Sequence, residues 1–475
     1  MTTDPLSLDP ELMRELGYRT VDFLVERFQR GSPGIPPALR REGSRRLAEP
    51  APASGGSFDD ILRRFDQEVL PLYARIDHPG FFGFIPGSGT WPGALADFIS
   101  SALNMHVSDW VESPGPSRLE LTVLDWFKDW IGYPGQAGGL LVSGGSVANL
   151  TALACAREAR LGSMWADAVV YHSDQAHSSV ARAARVLGLP PSRVRAVPVD
   201  DRFRIRPDSL ERAIEADERA GLRPLFVAAS AGTTNTGAVD PLGAIAEVCR
   251  GRGVWMHVDA AYGGFAVLTH RGAKELAGLD LADSVALDPH KWLYQPFECG
   301  CLLVRDGRLL ERAFHASADY LQDTELREVN FADVGIQLTR GFRALKVWMS
   351  VHHFGVEAFR SAIDRCLDLA RWAQRRIESS DELELLVPPT LSILCFRRHP
   401  PGLDDEDGLE AINARLVEAA QGSGDGFVSS TRLHGTYAIR LCVLNHATGQ
   451  GDVERVLASL ERAAPVASAP AGAGP

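Results

Sequence analysis

The central part of the chain alternates short apolar runs with stretches of helical periodicity. Each run is bounded by Gly, Pro or polar residues, which is typical of buried strands. Six strands are predicted in this way: Gly139 to Val142, Ala168 to Tyr171, Leu225 to Ala229, Val254 to Val258, Ser284 to Leu287 and Cys301 to Val304. Alternation with helices favours an α/β fold with a mostly parallel sheet, and such sheets bind ligands at the carboxyl ends of their strands.

The first 85 residues carry a different pattern. Apolar positions recur at helical spacing from Pro10 to Gln29, with Asp9 as a candidate N-cap, and again from Phe58 to Val69. The Pro- and Gly-rich segment between them is too polar to fold alone. We therefore predict an N-terminal helical arm, residues 1–85, that docks either on a partner subunit or on its own subunit.

The pattern changes again beyond about residue 350. Helical segments there alternate with two apolar runs, Leu391 to Phe396 and Tyr437 to Leu444. We predict a large domain over residues 86–350 and a small C-terminal α+β domain over residues 351–465. The tail, residues 466–475, is rich in Ala, Pro and Gly and is predicted to be disordered.

Composition narrows the class of protein. The net charge of -12 argues against a nucleic-acid partner, which requires a basic surface. No apolar run reaches membrane-spanning length, and the N-terminus lacks a signal pattern. The seven cysteines form no Cys-x-x-Cys pair and indicate reduced thiols. These features predict a soluble, cytoplasmic protein without a metal site.

One lysine stands at the end of a predicted buried strand. In Ser284-Val-Ala-Leu-Asp-Pro-His-Lys-Trp292 the apolar run stops at Pro289, so Lys291 follows the strand directly. A lysine in partly apolar surroundings is a usable amine nucleophile toward an aldehyde, because its charged form is disfavoured. A surface lysine just beyond a strand is the alternative.

Three other stretches have a comparable placement. Asp259 ends an apolar run and precedes two alanines, so its carboxylate would face a flat ligand with a cationic nitrogen. Gly144, Gly145 and Ser146 open a helix-like segment, and free N–H groups at a helix start bind phosphate. His177 follows the strand that ends at Tyr171. Each signal alone is weak, but all four converge on one edge of the sheet.

The order of these motifs is specific. The chain carries Gly-Gly-Ser, Asp-Gln-Ala-His-Ser-Ser, Gly-Thr-Thr, His-Val-Asp-Ala-Ala-Tyr and Pro-His-Lys-Trp in sequence. In this order they resemble the fold-type-I pyridoxal-phosphate enzymes, specifically the group II decarboxylases typified by aromatic-L-amino-acid decarboxylase. The resemblance runs from about Leu8 to about Leu460. It implies a seven-stranded sheet and pyridoxal 5'-phosphate as cofactor.

The resemblance also implies roles for individual residues. Lys291 would form the internal Schiff base, Asp259 would pair with the pyridine nitrogen, and His177 would stack on the ring. The further cofactor contacts that it implies are Gly145, Ser146, Thr234, Ala261, Asp288 and His290. Position 288 is often Asn in the animal enzymes, near the phosphate. A carboxylate there is unfavourable unless it is protonated or turned away.

One departure from the family pattern leaves the product open. In the resembled decarboxylases a Tyr on a mobile loop from the partner subunit donates a proton to the α-carbon. An ungapped count back from Phe342 puts Phe331 at that catalytic position, and phenylalanine cannot donate a proton. Related plant aldehyde synthases carry the same exchange. The product is therefore either the amine or an aldehyde with carbon dioxide, ammonia and peroxide, and Tyr320 is an alternative donor.

The substrate and the assembly follow from the same resemblance. Phe84 and Ile85 lie in a loop of aromatics, Gly and Pro, and together with Trp110 they indicate an apolar substrate pocket. Core packing is the alternative for Phe84 and Ile85. An apolar pocket is consistent with an aromatic L-amino acid. The family arrangement implies a homodimer with active sites at the interface.

Overall fold

The computed structural model describes residues 6–29, 31, 33–34, 47–162, 165–315 and 328–462. The predicted tail, residues 466–475, and Tyr320 lie outside the described residues. The helices are α1 (Pro10–Phe28), α2 (Phe58–Arg64), α3 (Trp91–Ala102), α4 (Pro114–Ile131), α5 (Gly145–Leu161), α6 (Ser179–Val186), α7 (Pro207–Arg219), α8 (Leu242–Arg252), α9 (His270–Glu275), α10 (Pro289–Trp292), α11 (Arg308–Phe314), α12 (Ala344–Phe354), α13 (Val356–Glu378), α14 (Glu406–Gly422) and α15 (Gln450–Arg462). The strands are β1 (His106–Val107), β2 (Gly138–Val142), β3 (Ala168–Ser173), β4 (Val194–Val197), β5 (Arg223–Ser230), β6 (Trp255–Asp259), β7 (Ser284–Leu287), β8 (Gly300–Val304), β9 (Arg340–Gly341), β10 (Leu383–Val387), β11 (Ile393–Arg398), β12 (Ser429–Leu433) and β13 (Thr436–Cys442).

A seven-stranded sheet forms the centre of the protein, in the order β2-β8-β7-β6-β5-β3-β4. Strands β7, β6, β5, β3 and β4 are parallel neighbours, and β8 is antiparallel to both β2 and β7. The prediction of a mostly parallel seven-stranded sheet is confirmed. All six predicted strands are present. The seventh, β4, escaped prediction because Arg195 and an exposed Ala196 interrupt its apolar pattern.

The strands that carry the candidate site residues end at one edge of this sheet. Because β3, β5, β6 and β7 are parallel, the loops that follow them leave the sheet on the same side. Helix α5 packs across β5, β6, β7 and β8. Its N-terminus is joined to β2 by a short connection, so the start of α5 reaches the same edge.

A second sheet lies in the C-terminal part of the chain. Its four strands are antiparallel, in the order β10-β11-β13-β12. The predicted strands near Leu391 and Tyr437 correspond to β11 and β13, whereas β10 and β12 were not predicted. Helices α12 and α13 are separated by Gly355, whose φ of +73° favours glycine. The proposed domain boundaries stay a prediction.

The N-terminal helix has an apolar face that the described residues of its own chain bury only in part. Asp9 is the N-cap, as predicted, and its carboxylate accepts hydrogen bonds of 3.0 Å from the N–H groups of Glu11 and Leu12. No residue of α1 is buried, and Met13 and Phe28 are largely exposed. The second predicted helix is α-helical over Phe58–Arg64 and π-helical over Phe65–Val69, so the helical segment has the predicted bounds.

The cysteines agree with the prediction of reduced core thiols. All seven lie in the described part of the chain, and each is buried and free. Burial raises the pKa of Cys299 to about 12, which keeps that thiol protonated and unreactive. Within the described residues, no helix is both long and apolar enough to cross a membrane.

Candidate active site

A cavity of about 310 Å³ opens at the carboxyl edge of the large sheet. It brings together all nine residues predicted to contact a cofactor: Gly145, Ser146, His177, Thr234, Asp259, Ala261, Asp288, His290 and Lys291. They come from loops after β2, β3, β5, β6 and β7, so segments distant in sequence meet because their strands are parallel. The cavity is also lined by Ser179 and Glu298, which were not predicted.

Lys291 projects into this cavity from the short helical turn α10. Its Nζ lies 3.0 Å from Oδ2 of Asp288, and its side chain is 21% exposed. The surroundings are thus more polar than predicted, because a buried carboxylate faces the amine. The chain has only four lysines, all among the described residues, and Lys291 is the one that lines this cavity.

Asp288 lies at the end of the cavity where the glycines approach. Its side chain is 2% exposed, and its Oδ1 has no hydrogen-bond partner among the described residues. Burial lowers the pKa of His290, so its imidazole is neutral at pH 7. The Cys299 N–H donates to Nδ1 of His290 at 3.1 Å, so the ring proton is on Nε2, 3.5 Å from Asp288 Oδ2. Asp288 is therefore turned toward two possible donors, Lys291 and His290.

The start of α5 forms the opposite wall. A Cβ atom on Gly145 would lie 2.9 Å from the Ala261 Cβ and 3.2 Å from Asp288 Oδ2, so the close approach requires glycine. The first N–H groups of a helix have no intrahelical partner and carry the positive end of the helix dipole. Gly145 and Ser146 thus offer an anion-binding surface inside the cavity.

Asp259 ends β6 with its carboxylate held by two donors. The Ala261 N–H donates to Oδ1 at 3.2 Å, and Nδ2 of Asn149 donates to Oδ2 at 2.8 Å. Asn149 was not predicted from the sequence. It lies on α5 four residues after Gly145, and that spacing on one helix face is the signal that could have found it.

His177 stands in the loop between β3 and α6, with an exposed ring. Its Nδ1 lies 2.8 Å from the Ser179 Oγ and 3.3 Å from the Ser179 N–H. Ser179 is buried, so it fixes one edge of the imidazole and leaves the face free. An exposed ring face held at a cavity wall suits stacking on a planar ligand.

Phe331 does not line this cavity. It is fully buried, and the guanidinium of Arg340 lies 4.6 Å from its ring centroid. Nη1 of Arg340 donates to Glu120 Oε1 at 2.9 Å and to the Leu141 carbonyl at 2.7 Å. Phe331 therefore packs in the interior beneath a buried ion pair, and its catalytic role stays a prediction.

The three predicted substrate-pocket residues also lie outside the set that lines the cavity. Phe84 is 63% exposed and has a left-handed backbone, with φ of +54°. Its carbonyl accepts a hydrogen bond from Arg440, and its ring lies 6.3 Å from that of Phe427. Ile85 is half-buried. Trp110 lies beneath the Arg118 guanidinium, 5.3 Å from it.

The residues of the cavity fit pyridoxal 5'-phosphate. A helix start suits the phosphate, the Asp259 carboxylate suits a protonated ring nitrogen, and the Lys291 amine suits an aldehyde. Asp288 does not add to this fit, because its carboxylate lies at the same helix start and repels a phosphate unless it is protonated or turned away. The sheet order together with this set of groups defines a pyridoxal-phosphate enzyme of fold type I.

Comparison with known proteins gives the family. Residues 41–399 match the pyridoxal-dependent decarboxylase conserved domain, and the chain belongs to this family. It is a lyase whose cofactor is pyridoxal phosphate.

Relatives match along nearly the whole chain. An aromatic-L-amino-acid decarboxylase of Bacillus atrophaeus is 38% identical over 464 residues, covering 97% of both proteins. The crystal structure of Oryza sativa TDC with PLP and tryptamine has a TM-score of 0.91 at 28% identity, covering 97% of this chain and 99% of that one. The structure of Rhodiola rosea 4-hydroxyphenylacetaldehyde synthase has a TM-score of 0.88 at 28% identity, covering 96% and 98%.

Proposed function

We propose that this enzyme decarboxylates an aromatic L-amino acid to the corresponding amine, with Lys291 as the residue that holds the cofactor covalently. The observation that carries the proposal is the convergence of Lys291, Asp259, His177 and the start of α5 on one cavity. The aromatic-L-amino-acid decarboxylase relative supports the substrate class.

The other lysines support the choice of Lys291 by their own contacts. Lys346 is buried and bonds Asp97 at 2.8 Å and the carbonyls of Pro296 and Glu298. Lys128 on α4 is half-buried and bonds Asp125 at 2.6 Å, and Lys274 is exposed on α9. None of these three lines the cavity.

Each residue of the site is proposed to act on the part of the cofactor that lies next to it. When bound, pyridoxal phosphate supplies an electron sink for the pair left on the α-carbon as the carboxylate departs. Asp259 holds a proton on the ring nitrogen, which makes the ring a better sink. Gly145 and Ser146 bind the phosphate, and His177 covers one face of the ring and excludes water from it. Asp288 accepts from Lys291 and His290 and orients the lysine.

The product depends on what the α-carbon receives after carbon dioxide leaves. A proton at that carbon gives the amine. Transfer of its electrons to dioxygen, with hydrolysis by one water, gives the aldehyde, ammonia and hydrogen peroxide. Phe331, which has no proton to donate, favours the aldehyde as a second candidate product, and an aldehyde synthase is among the similar structures. The burial of Phe331 beneath Arg340, outside the cavity, favours the amine.

Phe84 is proposed as an apolar wall for the substrate side chain, with Ile85 and Trp110 nearby in the assembled enzyme. Its ring is exposed, and its left-handed backbone, whose carbonyl accepts a hydrogen bond from Arg440, is of the uncommon kind that clusters at functional sites.

A homodimer is proposed because the chain exposes a large apolar surface. The uncovered face of α1 adjoins a large apolar cavity of about 830 Å³, whose walls include Phe28, Trp91, Phe297 and Phe354. Such a surface suits a second copy of the chain. Light scattering after size exclusion should give twice the mass of the 51.5 kDa chain. A monomeric mass would contradict this proposal.

The product assay tests the reaction. The purified, cofactor-loaded protein is incubated in air with Phe, Tyr, Trp and dopa, and amine, aldehyde and peroxide are measured together. Amine without peroxide is the expected result. Aldehyde with equimolar peroxide would establish the second candidate, and Phe331→Tyr should then shift the product toward amine. Absence of both products with every aromatic substrate would refute the proposed substrate class.

A further inference from the structure

A chain of hydrogen bonds lies behind Asp259 and His177, and it begins at a buried histidine of the same strand. His257 is fully buried on β6, two residues before Asp259 and therefore on the same face of the sheet. Its Nε2 lies 2.9 Å from Oδ1 of Asn149, and its Nδ1 lies 2.8 Å from Oγ of Ser284. Burial lowers the pKa of His257 to about 4, so the ring is neutral at pH 7.

The donor and acceptor roles along this series of hydrogen bonds follow from the groups at its two ends. The Asp259 carboxylate only accepts, so Asn149 must direct its NH₂ group toward Asp259 and its carbonyl toward His257. A carbonyl cannot donate, so the His257 proton is on Nε2. Nδ1 then accepts from the Ser284 hydroxyl, whose oxygen accepts from the Trp255 Nε1–H at 2.8 Å. Each donor in the series has an acceptor.

Asn149 branches to the second predicted ring contact. Its Nδ2 also donates to Oγ of Ser179 at 2.8 Å, and Ser179 in turn donates to Nδ1 of His177. The Asn149 amide therefore donates one proton to Asp259 and the other to Ser179, the partner of His177. The same helix carries Gly145, four residues earlier, at the phosphate end of the cavity.

We propose that Asn149, oriented by His257, is a positioning residue that fixes Asp259 and His177 against the cofactor ring. This inference rests on the proposed function, because it takes Asp259 and His177 as ring contacts. Loss of the amide would leave the His257 N–H and one Asp259 oxygen unpaired in the interior and would free the carboxylate to rotate. Neither Asn149 nor His257 touches the cofactor in this account.

The test is cofactor binding by the apoprotein, measured as the Kd for added pyridoxal phosphate together with the visible circular dichroism of the bound cofactor. Asn149→Leu should raise the Kd by about 10- to 100-fold, the range that loss of an outer-shell partner of a metal ligand produces, and should weaken the visible band. Thr151→Val is the matched control, since Thr151 is equally buried on α5 but donates only to the Val147 carbonyl. This control should bind within about twofold of the parent.

A second pair of variants tests the proposal even if Asn149→Leu does not fold. The glutamine of His257→Gln retains an N–H that can donate to Asn149, whereas the leucine of His257→Leu has no such donor. The leucine variant should show the raised Kd and the glutamine variant should recover most of the loss. Equal Kd values for the two variants would overturn the proposal.

Asp259→Asn separates this inference from the proposed function. A raised Kd in Asp259→Asn with parent-like binding in Asn149→Leu would overturn the role of Asn149 and leave the proposed function intact. Parent-like binding and an unchanged band in both variants would overturn the role of Asn149 and the proposed role of Asp259 together. An equal loss in Thr151→Val and Asn149→Leu would assign the effect to helix packing and also overturn the inference.

Discussion

The buried His257 predicts a specific loss of stability in mild acid. Its pKa in the folded protein is lowered to about 4, chiefly by burial and against a smaller raising effect of the Asp259 carboxylate. In the unfolded chain a histidine has a pKa of about 6.5. As the pH falls, the unfolded chain therefore binds the proton first. The stability linked to His257 is complete above pH 6.5 and is lost between pH 6.5 and pH 4.

The magnitude follows from the two pKa values. The gap between about 6.5 and about 4 corresponds to about 3 kcal/mol, of which about 2 kcal/mol is lost between pH 7 and pH 5. The assay is urea unfolding of the apoprotein at both pH values for the parent and for His257→Gln, which cannot titrate. The parent should lose about 2 kcal/mol more than the variant. His434→Gln, at an exposed turn, controls for removal of a histidine. Equal losses in parent and His257→Gln would refute the reasoning.

Two further predictions concern the Arg340 and Phe84 side chains. Arg340→Met should lower the free energy of unfolding in urea by about 3–5 kcal/mol, because it leaves the fully buried Glu120 carboxylate without its cation; a loss below about 1 kcal/mol would contradict a buried pair. Phe84→Ala should raise the KM for an aromatic amino acid by about tenfold, the value of one aromatic contact, without changing the Kd for pyridoxal phosphate. An unchanged KM would remove Phe84 from the substrate pocket.

The large sheet and the residues proposed to contact the cofactor were predictable from the sequence. Lys291, Asp259 and His177 each follow an apolar run, and the polarity of parallel strands brings such positions to one edge. Gly144 and Gly145 at the start of α5 were predictable, because a helix start that approaches a ligand and two neighbouring loops has no room for a side chain. These inferences need only local pattern and strand direction.

The residues that hold these cofactor contacts in place were not predictable in the same way. Asn149 and His257 are polar residues within buried elements, and their roles depend on the register that sets α5 against β6. Helical and strand periodicities place each on the correct face, but only the packed structure shows that the two meet. Phe331 is a similar case. It packs against Arg340, which pairs with Glu120 across 220 residues of sequence, and no local pattern contains that contact.

The covalent attachment site of the cofactor tests the central claim most directly. The protein is loaded with pyridoxal phosphate, reduced with borohydride, digested and analysed by mass spectrometry. Because the chain has only four lysines, the result is unambiguous. We expect the cofactor mass on the peptide that contains Lys291, and we expect that mass to be lost in Lys291→Ala. Attachment at Lys128, Lys274 or Lys346, or retention of the mass in Lys291→Ala, would contradict this expectation.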